Sequence, residues 1–312
     1  MNRLALIFAI VLLVSCHKEN QSDQTINSSH IKYFGFTLID TYWDDPTDNQ
    51  TKTNYIDEVF GFSNIADILV VNPSDNIVAR MTEMNDFQVK SILHLSEIFF
   101  EIVGTSSPSG VEYELRTDYQ ARWDEFINVN NLQVNQDLIQ SFYIGEEPTW
   151  NGISFSELKS ATDYVKSTIP TIPIMIIEAY PIIDQLQIPN SVDWIGFDHY
   201  FIKDPNSNLD YLSELNNLKS KFSNAEQQLV IILDTHYISS LHGDFGGIAL
   251  NEMDGVANSY FELAKSEPKT IAILGYFWPS GFDSPESIGA RNMPENIKEN
   301  YIRIGKEITN KN

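Results

Sequence analysis

Short apolar runs alternate with longer amphipathic stretches along most of this chain. Runs rich in β-branched and aromatic residues occupy positions 33–39, 68–72, 91–95, 139–144, 174–177, 194–197, 229–233 and 271–277. Near-continuous apolarity over a few residues is typical of strands buried on both faces, as in a parallel sheet covered by helices. Amphipathic stretches that fit helices lie at 118–129, 154–167, 210–222 and 250–265.

This alternation predicts a fold of the α/β class. Eight apolar runs separated by helical stretches favour a (β/α)8 barrel, the TIM barrel, which we place at residues 31–312. Barrels of this kind commonly take such a length as one domain. No segment after residue 31 has the composition of an interdomain linker, so we expect a single globular domain.

Polar and aromatic residues gather at the carboxyl end of each apolar run. In chain order they are Asp40 and Trp43, Asn72, His94 and Glu97, Glu146, Glu147 and Trp150, Glu178 and Tyr180, Asp198, His199 and Tyr200, Asp234, His236 and Tyr237, and Trp278. In a parallel barrel these ends meet at one rim, which is where the active sites of this fold lie. We therefore expect the functional site at that rim.

Carboxylates interleaved with Trp and Tyr suit the recognition of a sugar polymer. Aromatic faces stack on pyranose rings, while two carboxyl groups across the scissile bond serve as acid and as base or nucleophile. Phosphate chemistry would need a Gly-rich loop or a basic clamp, and the sequence has neither. A zinc site is the alternative, with His199 and His236 beside Asp198 or Asp234, but no HxH or HExxH spacing occurs. We expect no metal and no cofactor.

Three segments resemble the clan A glycoside hydrolases, which are (β/α)8 retaining enzymes. Ile144-Gly145-Glu146-Glu147-Pro148 resembles their Asn-Glu-Pro signature at the fourth strand. The segment 194–200, Trp-Ile-Gly-Phe-Asp-His-Tyr, resembles their sixth strand, and Trp278 in Tyr-Phe-Trp stands where many of them place a substrate-platform tryptophan. The resemblance implies a polysaccharide or oligosaccharide as substrate.

Carried over residue by residue, the resemblance makes Glu147 the acid/base and puts Glu146 in place of the usual asparagine. Adjacent strand residues point to opposite faces, so only one of the two can face the barrel axis unless the strand has already ended. Pro148 favours that ending, because it restricts Glu147 to extended or turn geometry. We prefer Glu147 as the general acid.

The clan's nucleophile is a glutamate at the end of the seventh strand, and Asp234 stands there in this chain. An aspartate carboxylate would retreat by about 1.5 Å, one carbon–carbon bond. That shift could move the pair toward the spacing of inverting enzymes, so the stereochemical outcome stays open. Glu146, Glu178 and Asp198 are the alternates for a catalytic carboxylate.

The remaining rim residues are predicted to bind substrate. They are Asp40, Trp43, His94, Trp150, Tyr180, His199, Tyr200, His236, Tyr237 and Trp278. Two functions remain open: a glycoside hydrolase using Glu147 and Asp234, or a hydrolase-like barrel that has lost catalysis and captures glycan. The replacement of the seventh-strand glutamate supports the second.

The amino terminus reads as a lipoprotein signal peptide. Arg3 precedes an apolar run, residues 4–14, and Leu13-Val14-Ser15-Cys16 closes it as a lipobox. The run is roughly half of the ~20 residues needed to cross a bilayer. We expect cleavage after residue 15, lipidation of Cys16, and a polar tether over residues 16–30.

The residue after the cysteine is His17 and not the aspartate that resembles an inner-membrane retention signal, which favours the outer membrane and its outer face. The residues of this amino-terminal segment resemble those of the surface glycan-processing lipoproteins of Bacteroidota. Expected partners are therefore a polysaccharide or oligosaccharide, the membrane that holds the lipid anchor, and other surface glycan-uptake proteins.

Composition narrows the partners further. The 312-residue chain carries a net charge of −23, which should repel nucleic acid and anionic lipid headgroups. Cys16 is the only cysteine, so the mature domain has no disulfide and no catalytic thiol. A chain this acidic also favours neutral glycans over sulfated or uronic-acid polymers.

Overall fold

The computed structural model describes residues 30–311, and eight parallel strands within them close into a barrel. The strands in chain order are β1 (Tyr33–Asp40), β2 (Ile65–Leu69), β3 (Lys90–His94), β4 (Phe100–Gly104), β5 (Glu112–Leu115), β6 (Ile139–Glu146), β7 (Ile174–Ala179), β8 (Trp194–Asp198), β9 (Gln228–Asp234) and β10 (Thr270–Tyr276). The order around the barrel is β1-β10-β9-β8-β7-β6-β3-β2, and β4 and β5 form a separate antiparallel hairpin. The predicted (β/α)8 TIM barrel is confirmed.

Helices flank the barrel along the chain. They are α1 (Ile56–Val59), α2 (Val78–Asp86), α3 (Ser96–Phe99), α4 (Tyr119–Asn130), α5 (Phe155–Thr168), α6 (Leu209–Ser220), α7 (Met253–Ser266) and α8 (Glu295–Thr309). The four helices expected from the pattern correspond to α4, α5, α6 and α7. The structure adds α2 and α8, whose periodicity was not singled out in the sequence.

The buried residues separate into two apolar clusters. One consists of strand residues alone, among them Tyr143, Ile177 and Ile232, and fills the barrel interior. The other joins outward-facing strand residues such as Phe142 to helix residues such as Trp123. Strands covered on both faces explain the continuous apolar runs.

The second strand begins three residues earlier than the sequence suggests, at Ile65 rather than at residue 68. Asp67 interrupts the apolar pattern there, but its carboxylate has partners across the sheet. It accepts hydrogen bonds from the amides of Leu38 and Ile39 at 3.0 and 2.8 Å. Asp67 thus has hydrogen-bond partners inside a strand, at a position where the hydrophobic pattern predicts an apolar residue.

The predictions made for the amino terminus concern residues that the structure does not describe. The signal peptide of residues 1–15, Cys16 and the tether up to residue 29 all lie outside the described range. Within residues 30–311, no helix is long and apolar enough to span a membrane.

Candidate active site

A cavity of about 720 Å³ opens at the carboxyl ends of the barrel strands. Tyr143, Ile177 and Ile232, which belong to the barrel interior, form its floor. Six carboxylic residues line it: Asp67, Glu97, Glu146, Glu147, Asp198 and Asp283. His94 is the only basic side chain in this lining among the described residues, so the cavity is strongly acidic.

Two departures from regular strand geometry bring both Glu146 and Glu147 to the cavity. The register between β6 and β7 shifts between Tyr143 and Gly145, as at a β-bulge, which reverses the side-chain alternation. A Cβ on Gly145 would lie 3.1 Å from the Ile176 side chain and 3.4 Å from that of Leu158, so Gly145 faces the outer layer. Glu146 then faces inward.

Glu147 follows the strand with φ of 46°, in the left-handed region. Its amide donates to the carbonyl of Ile177 at 2.7 Å, and its own carbonyl accepts from the Asn151 amide at 2.8 Å. The backbone therefore turns at Glu147, which lets two adjacent carboxylates line one cavity. From the sequence, Glu146 and Glu147 could both face the barrel axis only if the strand had ended, and the structure shows that ending.

Glu147 and Asp198 are two carboxylic residues that both line the cavity. Burial, together with the charges of Glu146 and Glu178, raises the pKa of Glu147 to about 7. Burial and the charge of Glu147 raise the pKa of Asp198 well above its ordinary value. Tyr200 donates a hydrogen bond to Asp198 at 3.3 Å. A carboxylic acid is available in the cavity near neutral pH.

Glu146 stands in the opposite protonation state. Desolvation opposes its ionisation, but the charge and hydrogen bond of His94 outweigh it and lower the pKa of Glu146. The contact joins Nε2 of His94 and Oε2 of Glu146 at 3.1 Å. Burial disfavours the imidazolium, yet Glu146 raises the pKa of His94 overall. The cavity therefore holds an ionised carboxylate next to a protonated one.

Glu178 does not line the cavity and instead supports the turn that follows Glu147. Its carboxylate accepts from the amides of Thr149 at 2.8 Å and Trp150 at 3.2 Å, both just after Glu147. Burial raises the pKa of Glu178 to about 7 against these hydrogen bonds. Its position favours a role in placing Glu147.

Asp234 does not line the cavity, which corrects its expected place opposite Glu147. Its side chain is fully buried and saturated with donors. It accepts from Nε2 of His242 at 3.1 Å and from the amide of Phe201 at 2.9 Å, and Nδ1 of His236 lies 3.3 Å from it. Burial opposes its charge, but the two histidines lower its pKa well below the ordinary range. The substrate cannot reach this carboxylate without displacing those partners.

Asp234, His236 and His242 are also the described residues whose geometry could hold a metal ion, with ligand atoms within 4.8 Å of one another. The hydrogen bonds favour another interpretation. The Ile238 amide donates to Nδ1 of His242 at 2.9 Å, which places the proton of the neutral ring on Nε2, facing Asp234. Nδ1 of His236 also lies 3.2 Å from the Tyr276 carbonyl, which can only accept. His242 therefore donates to Asp234, while Nδ1 of His236 donates to the Tyr276 carbonyl beside it.

Three of the residues predicted to bind substrate line the cavity: Trp43, His94 and Tyr200. The indole nitrogen of Trp43 donates to the carbonyl of Ser280 at 3.0 Å, which joins the loops after β1 and β10. Tyr200 lies in a stacked arrangement with Tyr276, with ring centroids 5.0 Å apart. These aromatic rings form one side of the acidic cavity.

The other predicted substrate contacts lie outside the cavity lining. Asp40 is buried and pairs with Nε of Arg80 at 2.6 Å. The rings of Tyr180 and His199 stack at 3.7 Å, and Nδ1 of His199 pairs with Glu214 at 2.6 Å. These side chains contact their neighbours instead of the cavity.

Trp278, His236 and Tyr237 were also expected to line the site, and the structure places them elsewhere. Trp278 is buried, donates to Glu58 at 2.8 Å and packs on Phe36 at 4.9 Å, so it belongs to the core. His236 and Tyr237 are buried beside Asp234 or under the loop after β9, and Trp150 also lies outside the lining. None of these residues lines the cavity.

Several cavity residues were not found as site candidates in the sequence. They include Asp67, Tyr113, Tyr143, Tyr276 and Asp283. Tyr276, two residues before Trp278, occupies the aromatic place at the end of β10 and donates to Asp283 at 2.9 Å. The alternation of side chains along β6 places Tyr143 on the inner face of the barrel. This alternation was the one feature of the sequence that could have identified any of these residues. Asp283 lies in a loop whose path the pattern does not indicate.

Comparison with models of protein families gives no match, and no curated protein matches the sequence. Similar solved structures are glycoside hydrolases. A glucosidase from Croceicoccus marinus is 9% identical with a TM-score of 0.60, over 90% of this chain and 67% of that one. The GH113 β-mannanase of Alicyclobacillus acidocaldarius is 12% identical with a TM-score of 0.54, over 91% and 99%.

Xylanase 10B from Thermotoga petrophila, solved with xylobiose, is 14% identical with a TM-score of 0.52, over 89% of this chain and 95% of that one. At such identities the likeness establishes the fold. The chain shares with these structures the TIM-barrel fold.

Proposed function

We propose that this protein is a surface-anchored glycoside hydrolase in which Glu147 is the general acid and Glu146 the ionised carboxylate. The observation that carries the proposal is the coexistence, in one cavity at the carboxyl rim, of a carboxyl with raised pKa and a carboxylate with lowered pKa. Environments that separate two carboxyl pKa values in this way assign the acid and the base. The glycoside hydrolase fold supports the same reaction class.

In the proposed reaction Glu147 protonates the glycosidic oxygen as the bond to the anomeric carbon breaks. Asp198, whose pKa is raised, would donate a hydrogen bond to the carboxylate that Glu147 becomes. Glu146, ionised beside His94, stabilises the positive charge that develops on the sugar and accepts a proton from the water whose oxygen bonds to the anomeric carbon. Glu146 therefore takes the role that the sequence gave to Asp234.

The lining also defines a substrate class. With six carboxylic residues and one histidine around the cavity, sulfate or uronate groups would meet uncompensated negative charge. Trp43, Tyr113, Tyr200 and Tyr276 supply aromatic faces for neutral pyranose rings. We infer a neutral polysaccharide or oligosaccharide as substrate.

The test compares Glu147→Gln, Glu146→Gln and Glu299→Gln with the wild type. Release of reducing ends is measured on β-1,4-xylan, β-1,4-mannan, β-glucan and a sulfated glycan. Both cavity variants should lose most turnover while glycan affinity stays near that of the wild type, since each change keeps the side-chain shape. Glu299, exposed on α8, is the matched control and should be inert.

An aryl glycoside separates the two roles. Its leaving group needs little protonation, so Glu147→Gln should keep much more of its rate there than Glu146→Gln. Full polysaccharide cleavage by both cavity variants would refute the assignment.

One observation favours a second function, glycan capture without hydrolysis. The carboxylate at the end of β9, where the resembling enzymes carry their nucleophile, is withdrawn into the protein. A wild type that binds one of the tested glycans in affinity electrophoresis but cleaves none would establish capture.

A further inference from the structure

Tyr143 is a buried phenol on the cavity floor whose hydroxyl pairs with no described residue. The side chain is 6% exposed and lines the cavity. Its ring contacts that of His94, with centroids 4.5 Å apart, and His94 is held by Glu146. The ring is thus fixed in place, while its polar atom has only the cavity to meet.

The two other inward-facing tyrosines at this level have protein partners. Tyr200 donates to Asp198 at 3.3 Å and Tyr276 donates to Asp283 at 2.9 Å. A phenylalanine at position 143 would fill the same volume, and the hydroxyl adds no hydrogen bond to a described residue while it faces the cavity. The hydroxyl of Tyr143 is therefore not explained by packing.

The surroundings also fix the protonation state of this phenol. Burial, with the charges of Glu146, Asp198 and Glu147, raises the pKa of Tyr143 well above its ordinary value. The group stays neutral and can donate as well as accept a hydrogen bond. Those three carboxylic residues are the ones at the proposed reaction centre, so the phenol faces the same space.

We propose that the hydroxyl of Tyr143 contacts the sugar unit held at Glu147, donating a hydrogen bond to one of its oxygens from the cavity floor. This inference rests on the proposed hydrolase function and adds a substrate-contacting residue to it. Binding of a sugar supplies the partner that the phenol lacks in the free protein.

The experiment compares Tyr143→Phe with Tyr301→Phe. Tyr301 is a matched control: it is 1% exposed, its hydroxyl also lacks a described partner, and it lies on the buried face of α8, in the core. Kinetics are measured on whichever of β-1,4-xylan, β-1,4-mannan and β-glucan the wild type cleaves fastest. Affinity for its disaccharide product and the thermal midpoint are measured in parallel.

Tyr143→Phe should lose about tenfold in kcat/KM, the scale of one neutral hydrogen bond to substrate, with a thermal midpoint equal to or above that of the wild type. Tyr301→Phe should keep the wild-type kcat/KM. A wild type that cleaves these glycans, with Tyr143→Phe unchanged or merely less stable, would overturn this inference alone. A wild type inactive on all three would overturn the proposed hydrolase, and this inference with it.

Discussion

At the residue scale, the feature that defines the cavity is that two sequence neighbours hold opposite protonation states. Glu147 is buried beside other carboxylic residues, which raises its pKa, whereas Glu146 contacts His94, which lowers its pKa. The difference comes from the neighbours of each group and not from its residue type. The proposed acid and the proposed base therefore differ in their surroundings alone.

The pH dependence of the reaction should report Glu147. A general acid acts in its protonated form, which is present below its pKa and lost above it. Because the pKa of Glu147 is about 7, kcat/KM should fall about tenfold per pH unit above that value. A pH profile of kcat/KM on the preferred polysaccharide checks this. A rate that stayed flat through pH 7 and well above it would exclude Glu147 as the acid.

Asp234 should matter for stability more than for turnover. Asp234→Asn removes the carboxylate that accepts from Nε2 of buried His242 and from the Phe201 amide, and should lower the free energy of unfolding by about 1 to 3 kcal/mol. Asp198→Asn is the comparison and should cost little, since burial raises the pKa of Asp198 and so favours the neutral form that asparagine resembles. Urea denaturation measures both.

If Asp234→Asn kept full stability but lost all turnover, Asp234 would return to the catalytic role that the sequence suggested.

At the element scale, the turn between β6 and α5 is held from both sides. Glu178 of β7 accepts from the amides of Thr149 and Trp150. On the other side, Ser154 and Glu157 form a capping box at the start of α5. A turn that must keep Glu147 in a left-handed conformation is thereby attached to two regular elements.

Ser154→Ala should remove the cap and lower the free energy of unfolding by about 1 kcal/mol. The side-chain oxygen of Ser154 accepts from the amide of Glu157 at 3.3 Å, and that donor would lose its partner. Ser160→Ala, at an exposed position in the interior of the same helix, is the control and should be neutral or slightly stabilising. Equal losses in denaturant titrations of the two variants would contradict a capping role.

At the scale of the whole molecule, the barrel and its lipid anchor are expected to be independent. The barrel elements run from Tyr33 to Thr309 with their own core. Cys16→Ser should therefore move the protein from the membrane fraction to the soluble fraction, with an unchanged melting temperature and unchanged turnover. Retention of the variant in washed membranes would contradict the lipoprotein interpretation.

The net charge of −23 acts at this scale too. The cavity lining adds to this charge locally, with six carboxylic residues to one histidine, so we expect anionic glycans to be repelled from it. In the proposed hydrolase, contacts such as those of Trp43 and Tyr143 would then select among neutral sugars.

The sequence by itself determined the barrel, the position of its rim and the presence of Glu146, Glu147 and Asp198 there. Burial on both faces makes each strand a short apolar run, and polar residues mark the strand ends. The pattern along the chain therefore suffices to predict both the barrel and its rim. The same pattern located seven of the eight barrel strands closely and displaced only the one interrupted by Asp67.

Tertiary structure decided which of the rim residues face the cavity. A single extra residue at the β6 bulge reverses which side chains point inward, and the left-handed backbone at Glu147 adds a second carboxylate. The pairing of Asp234 with His242 withdraws one expected carboxylate, and the fold buries Trp278 while exposing Tyr276 to the cavity. Side-chain direction depends on local backbone deviations and on partners brought together by folding, which residue spacing along the chain does not encode.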